Sequence, residues 1–172
     1  MDGRAPGGSG RPRVTTVPSQ RRAPAAEVVA ARDPDADVYA DGSALSRYIP
    51  AAPEAPAWRA WATEHEPAVV VSQVAVLEAR VTAGFLGIDA GLVVLDALTR
   101  LPRMRLSDQA LTHAVPLLPG LGAFAALHVG AALAHRDVRA IATYDVPTAR
   151  AAAEAGLAVV SPGRPDGWWR AG

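Results

Sequence analysis

The segment Val38-Tyr39-Ala40-Asp41-Gly42-Ser43-Ala44-Leu45 restricts the fold more than any other part of the chain. Its first residues read as the end of a short buried strand. Gly42 and Ser43 then turn the chain. The Ser43 hydroxyl is predicted to cap a helix beginning near Ala44, because it can accept a backbone N–H that the first helical turn leaves unpaired. A strand that turns at once into a helix opens a βαβ unit, and here it leaves Asp41 at the strand's carboxyl end. Open α/β sheets put their ligand sites at that end. The competing reading is a turn aspartate bonded to its own backbone.

The same alternation recurs downstream. Ala68 to Val71 is a continuous apolar run, the signature of a strand buried on both faces. Ser72 caps a predicted helix from Gln73 to Leu86. Further helices are predicted over 43–49, 57–65, 88–100, 107–118 (bent at Pro116) and 123–134. Met104 to Leu106 reads as a short strand or an extended link. A strand from Val138 to Thr143 ends at Tyr144-Asp145, and Pro147 opens a helix to Ala155, an accepted first-turn position. Leu157 to Val160 is the last strand. Strands alternating with helices give an α/β class with a mainly parallel central sheet flanked by helices.

Periodicity predicts which faces are buried. In the helix after Ser72 the inward stripe reads Val74, Leu77, Val81 and Phe85. In the next it reads Ile88, Leu92, Leu95 and Thr99. Glu78 then falls at the edge of a buried face, where a carboxylate needs a partner or a cation; Arg80 and Arg105 are the candidate partners. Ala123 to Ala134 is a small-residue helix with Leu127 and Leu133 inward. Gly130 is expected to bring it close to the sheet, and His128 reads as a core histidine or one that supports the acids from behind. Trp58 and Trp61 form one apolar helix edge.

Composition sets boundaries on function. The 172 residues suit one domain plus an extension, and half are hydrophobic. Cysteine and lysine are both absent, and all 17 basic residues are arginine. Thiolate nucleophiles, disulfides, Cys-ligated metals, Walker A lysines and Schiff bases are thereby excluded. Residues 1–37 carry many Pro, Gly and Arg without apolar periodicity and are expected to be a disordered extension, basic enough to touch RNA. An alternative is a misassigned start, with Val38 as the first residue. Residues 38–163 form the predicted domain, and 164–172 a tail whose Trp168 and Trp169 are exposed unless a partner covers them. No run is long and apolar enough for a membrane span or a signal peptide. A cytoplasmic protein is expected.

Asp41 and Asp145 end separate strands, and Glu78 projects from the helix after a third. In a parallel sheet these positions share one edge. Carboxylates a few ångströms apart repel unless a cation sits among them, and hard oxygen ligands favour Mg²⁺ or Mn²⁺. Such a cluster can activate water against a phosphodiester.

Val38 to Leu45, Val76-Leu77-Glu78-Ala79-Arg80, Leu127 to Leu133, Thr143-Tyr144-Asp145 and Gly156 to Gly163 together resemble the PIN-domain family, specifically VapC-type toxins of type II toxin–antitoxin pairs. The resemblance runs in order from about Val38 to Gly163. It implies a PIN-like three-layer sandwich and a Mg²⁺-dependent endoribonuclease acting on RNA. It also implies a cognate antitoxin that blocks the acidic cleft, and a homodimer. By match, Asp41, Glu78 and Asp145 are the catalytic metal ligands. Ser43, Thr143 and His128 lie behind them, and Arg47 is the RNA contact.

One departure bears on activity. Where the family carries a further Asp before the helical His, this chain has Phe124-Ala125-Ala126-Leu127-His128. Asp96 sits in a similar Leu-Asp-Ala setting but too far upstream, without the His, and is read as a decoy. Gly42 replaces the usual side chain after the first acid, a milder change. Losing a carboxylate should weaken cation binding, so the alternative reading is a degenerate PIN-like module that binds RNA or a protein without cleaving. A haloacid-dehalogenase-type phosphatase would need an Asp at position 43 and a lysine. A dinucleotide site would need a Gly-rich turn after the first strand.

Overall fold

A computed structural model describes Met1 and residues 37–170. The expectation of disorder before Asp37 lies outside the described residues. Among those described, four strands make one parallel sheet: β1 (Asp37–Ala40), β2 (Val69–Val71), β3 (Val138–Ala142) and β4 (Ala158–Val160), in the order β2-β1-β3-β4. Seven helices surround it: α1 (Gly42–Leu45), α2 (Ala55–His65), α3 (Gln73–Leu86), α4 (Ile88–Arg100), α5 (Asp108–Ala114), α6 (Ala123–Ala134) and α7 (Val146–Glu154). The chain leaves β1 for β2 on one side and later returns as β3 on the other. The reversal opens a crevice beyond the carboxyl ends of β1 and β3. Met104 donates to Val71 beside β2, so the expected link near Met104 adds one isolated parallel bridge to the sheet's edge.

Alternate strand residues feed the two faces. Ala40, Val69, Val71 and Ala142 join one core with Leu45, Trp58 and buried residues of α3 and α4. Tyr39, Val70 and Ile141 join the other with residues of α5, α6 and α7. The sheet is thus covered on both faces, as continuous apolar strands require.

The predicted stripes of α3 and α4 have the right period and the wrong phase. Phe85 is 86% exposed and Ile88 80%, and Leu77, Val81, Leu92 and Leu95 also face outward. The buried rows are Ala75, Val76, Ala79 and Ala83 on α3, and Ala90, Val94, Ala97 and Leu98 on α4. Alanines win the inner positions because they let α3 lie close against α1 and the sheet. Reading large residues as inward leaves out that constraint. The result is a large apolar face on the outside.

Other differences have local causes. Asp41, not Ser43, caps α1, which starts at Gly42. The predicted helix over 43–49 tightens to a 3₁₀ turn at Ser46–Tyr48, and that over 107–118 does the same at Val115–Leu117, where Pro116 removes a donor. Gly130 meets α5 rather than the sheet. A Cβ there would lie 2.9 Å from Ala114 Cβ and closer still to the Ala110 carbonyl. Trp168 and Trp169 are half-buried, not exposed: Arg150 of α7 donates to the Trp169 carbonyl at 3.1 Å, folding the tail back.

Two glycines predict opposite signs. Gly130→Ala should overpack the α5–α6 contact and cost ~1–3 kcal/mol, lowering Tm by roughly 2–4 °C per kcal/mol. Gly84→Ala adds a methyl that meets nothing within 4 Å, and should raise stability by up to ~1 kcal/mol through helix propensity. Thermal unfolding of both variants checks the pair.

Candidate active site

Asp41 leaves the end of β1 with its carboxylate turned back over α1. Its Oδ1 accepts from the Ala44 N–H at 2.9 Å and from the Ser43 hydroxyl at 2.6 Å. Ser43 Oγ also accepts from the Tyr144 N–H at 2.7 Å. One hydroxyl therefore ties the carboxyl end of β1 to that of β3. Thr143 is wholly buried between them, 3.4 Å from Ser43, and its Oγ1 accepts from the Asp145 N–H at 3.1 Å.

Asp145 caps α7, as an acid should at a helix N-terminus. Its Oδ2 accepts from the Thr148 N–H at 2.9 Å and the Thr148 hydroxyl at 2.6 Å. Glu78 comes in from α3. Its Oε2 lies 2.5 Å from Nε2 of the buried His128 on α6, so neither Arg80 nor Arg105 is its partner. Asp41, Glu78, Asp145 and His128 line one cleft of about 510 Å³ at the crevice between β1 and β3. Ala125 lines it too, and Leu77, Val81 and Phe124 form an apolar wall.

Glycine at position 42 is demanded by the packing rather than being a mild change. A Cβ there would sit 2.6 Å from Glu78 Oε2 and closer to Glu78 Cβ. Thr148 and Tyr39 take part in the site although sequence reasoning left them out. The Asp145-Val146-Pro147-Thr148 spacing, a cap residue with a hydroxyl three positions on, could have revealed the first. A phenol in a strand buried on both faces, which needs a partner for its hydroxyl, could have revealed the second. Arg47 is absent from the cleft: it pairs with Glu54 at 2.7 Å and lies over the Tyr144 ring. Asp96 pairs with Arg100 on the exposed side of α4, away from the cleft.

The electrostatics favour a cation. Burial pushes the Asp41 carboxyl above its ordinary value. The nearby His128 ring, the Ser43 and Thr143 hydroxyls and the Ala44 N–H oppose the rise without cancelling it. Among the described residues, no arginine lines the cleft. Three carboxylates lining one cleft, with the His128 ring nitrogen turned to Glu78, offer the oxygen donors that a hard divalent ion takes. As placed, no three of the described His, Asp or Glu side chains surround a single point closely enough to hold one; Glu78 is drawn instead toward His128.

A raised carboxyl pKa stabilises the fold below the unfolded value, and that contribution is lost as pH rises through the folded value. Asp41→Asn removes the penalty and keeps an oxygen acceptor for Ser43 and Ala44. The variant should therefore melt above the parent at pH 7–8, with the gap narrowing on acidification. Calorimetric melting against pH checks this.

No family model and no curated protein sequence matches the chain. Solved structures do. FitAcB from Neisseria gonorrhoeae is 17% identical with a TM-score of 0.59, over 74% of this chain and 99% of that one. VapC20 from Mycobacterium tuberculosis, a sarcin–ricin loop cleaving toxin, is 10% identical with a TM-score of 0.54, over 67% and 95%. PAE2754 from Pyrobaculum aerophilum is 18% identical with a TM-score of 0.55, over 73% and 85%. The parallel four-stranded sheet, its helices and these neighbours agree on one architecture: the chain has the fold of VapC-type PIN domains.

Proposed function

We propose that the protein is a toxin-type, Mg²⁺- or Mn²⁺-dependent endoribonuclease held in check by a cognate antitoxin. The observation that carries this reading is that Asp41, Glu78 and Asp145, from three separate segments, line one cleft at the crevice of a PIN-like sheet.

Asp41, Glu78 and Asp145 would hold the cation. When bound, a divalent ion supplies Lewis-acid polarisation of the phosphodiester and lowers the pKa of water at neutral pH. The chain's own residues prepare the place. Ser43 and Ala44 fix the Asp41 carboxylate, Thr148 fixes Asp145, and Thr143 locks the β3 end behind both. The cleft opens outward, so an RNA strand can reach the acids without unfolding the domain. Arg47 is committed to Glu54, so backbone phosphate is met elsewhere.

The apolar wall of Leu77, Val81 and Phe124 beside the acids suits a protein that inserts apolar side chains and a cationic group together. An antitoxin of that kind is the proposed inhibitor. The exposed face of α3 and α4 supports a homodimer, since a monomer in water gains nothing from Phe85, Ile88 and Leu92 outside. A second reading, a PIN-like module that binds RNA without cleaving it, is favoured by the Ala125 methyl in the cleft, where a further carboxylate would strengthen cation binding.

Three outcomes follow. RNA cleavage should require Mg²⁺ or Mn²⁺ and vanish in Asp41→Asn; equal rates in the parent and the variant would exclude the nuclease reading. Ala125→Asp should tighten Mn²⁺ binding tenfold or more, ~1.4 kcal/mol, by calorimetric titration, and the non-catalytic module predicts that cleavage appears only with this change. The paired Phe85→Arg and Leu92→Arg substitutions should convert a dimer to a monomer in light scattering at little cost to the melting temperature of the monomer.

A further inference from the structure

Tyr39 stands near the carboxyl end of the central strand β1, wholly buried. A phenol there needs a partner for its hydroxyl, and it has two. Its oxygen is 2.7 Å from Ser72 Oγ and 2.7 Å from His128 Nδ1. Ser72 caps α3 by accepting from the Ala75 N–H at 3.3 Å. His128 Nε2 is 2.5 Å from Glu78 Oε2. Four side chains from β1, the start of α3, its second turn and α6 thus form a single line. All but Glu78 are buried.

The donors along the line follow from chemistry. An ionised carboxylate only accepts, so Nε2 carries the hydrogen that faces Glu78. In a neutral ring Nδ1 then accepts, so the Tyr39 hydroxyl donates to it. The Tyr39 oxygen receives in turn from the Ser72 hydroxyl, whose own lone pair takes the Ala75 N–H. Each hydrogen has one acceptor and none is left over.

We propose that Tyr39 and His128 are positioning residues for Glu78. The Tyr39 hydroxyl, oriented by Ser72, holds His128 as the Nε2–H tautomer, and that N–H pins the Glu78 carboxylate within the acid cleft. His128 so defined presents a hydrogen rather than a lone pair to the cleft; it donates to an acid and is not itself a metal ligand. The partner of a liganding side chain governs its orientation and basicity, and here the partner is fixed from within the core between β1 and α6. Gly42 completes the seat, leaving room for Glu78 that any other side chain would fill. The purpose of this arrangement rests on the nuclease reading; its geometry does not.

The test uses the full chain labelled with ¹⁵N at histidine. The parent should show one ring, absent from His128→Gln, with a protonated Nε2 and an unprotonated Nδ1. Tyr39→Phe, which preserves volume, should shift that ring toward a mixture of tautomers and weaken Mn²⁺ binding about tenfold by calorimetry. His128→Gln, whose amide nitrogen can take the Nε2 place, should retain most of the affinity, while His128→Leu loses it. A Tyr39→Phe ring unchanged from the parent, a parent ring protonated at Nδ1 alone, or equal affinity in the Gln and Leu variants would overturn the proposal. A parent that binds no Mn²⁺ yet shows the tautomer changing in Tyr39→Phe would overturn the nuclease reading and support the positioning one.

Discussion

The structure turns on a single buried carboxylate. Asp41 is 2% exposed, and burial makes its ionised form costly. It is kept in place by Ser43, whose hydroxyl donates to it while accepting from the N–H of Tyr144 on the neighbouring strand end. That one oxygen fixes two acid-bearing strand ends relative to each other. It adds to the β1–β3 ladder, in which the Asp41 N–H donates to the Ala142 carbonyl at 3.1 Å. Among the described residues no arginine lines the cleft beside Asp41, so its desolvation is opposed only by hydrogen bonds and the His128 ring.

The rest of the domain positions this corner. The chain lays β2 on one side of β1 and β3 on the other, all parallel, so the carboxyl ends of β1 and β3 open onto one crevice. Helix α3 has to lie close for Glu78 to reach it, and its alanine row makes that possible. The same alanine row turns Leu77, Val81 and Phe85 outward. Two of these, Leu77 and Val81, also wall the cleft. Packing that brings Glu78 inward therefore creates the apolar surface around the acids.

Much of the fold was legible because its signals are local. The strands are short and mostly apolar, and Ser72, Ser107 and Pro147 mark helix starts where helices begin. That Asp41, Glu78 and Asp145 line one cleft was legible because two of them follow strand ends and the third sits on the helix after another strand. What could not be read was long-range. Hydrophobic period says how often an apolar residue recurs, not whether a row of alanines or a row of leucines faces the sheet; only the distance between α3 and α1 decides that. Arg47 looked free to meet a phosphate, but Glu54 and Tyr144 occupy it. Likewise nothing local links Tyr39 to His128 or His128 to Glu78, which lie far apart along the chain. Gly42 looked like a small departure until Glu78 proved to fill the space beside it.

The central proposal is that Asp41, Glu78 and Asp145, which line one cleft, take up a divalent cation there. Anomalous X-ray scattering from crystals of the full chain grown with Mn²⁺ addresses it directly. One manganese peak in the cleft, within bonding distance of Asp41 and Asp145, is the predicted result. A cleft without manganese, in crystals where the ion binds at other carboxylates, would contradict it.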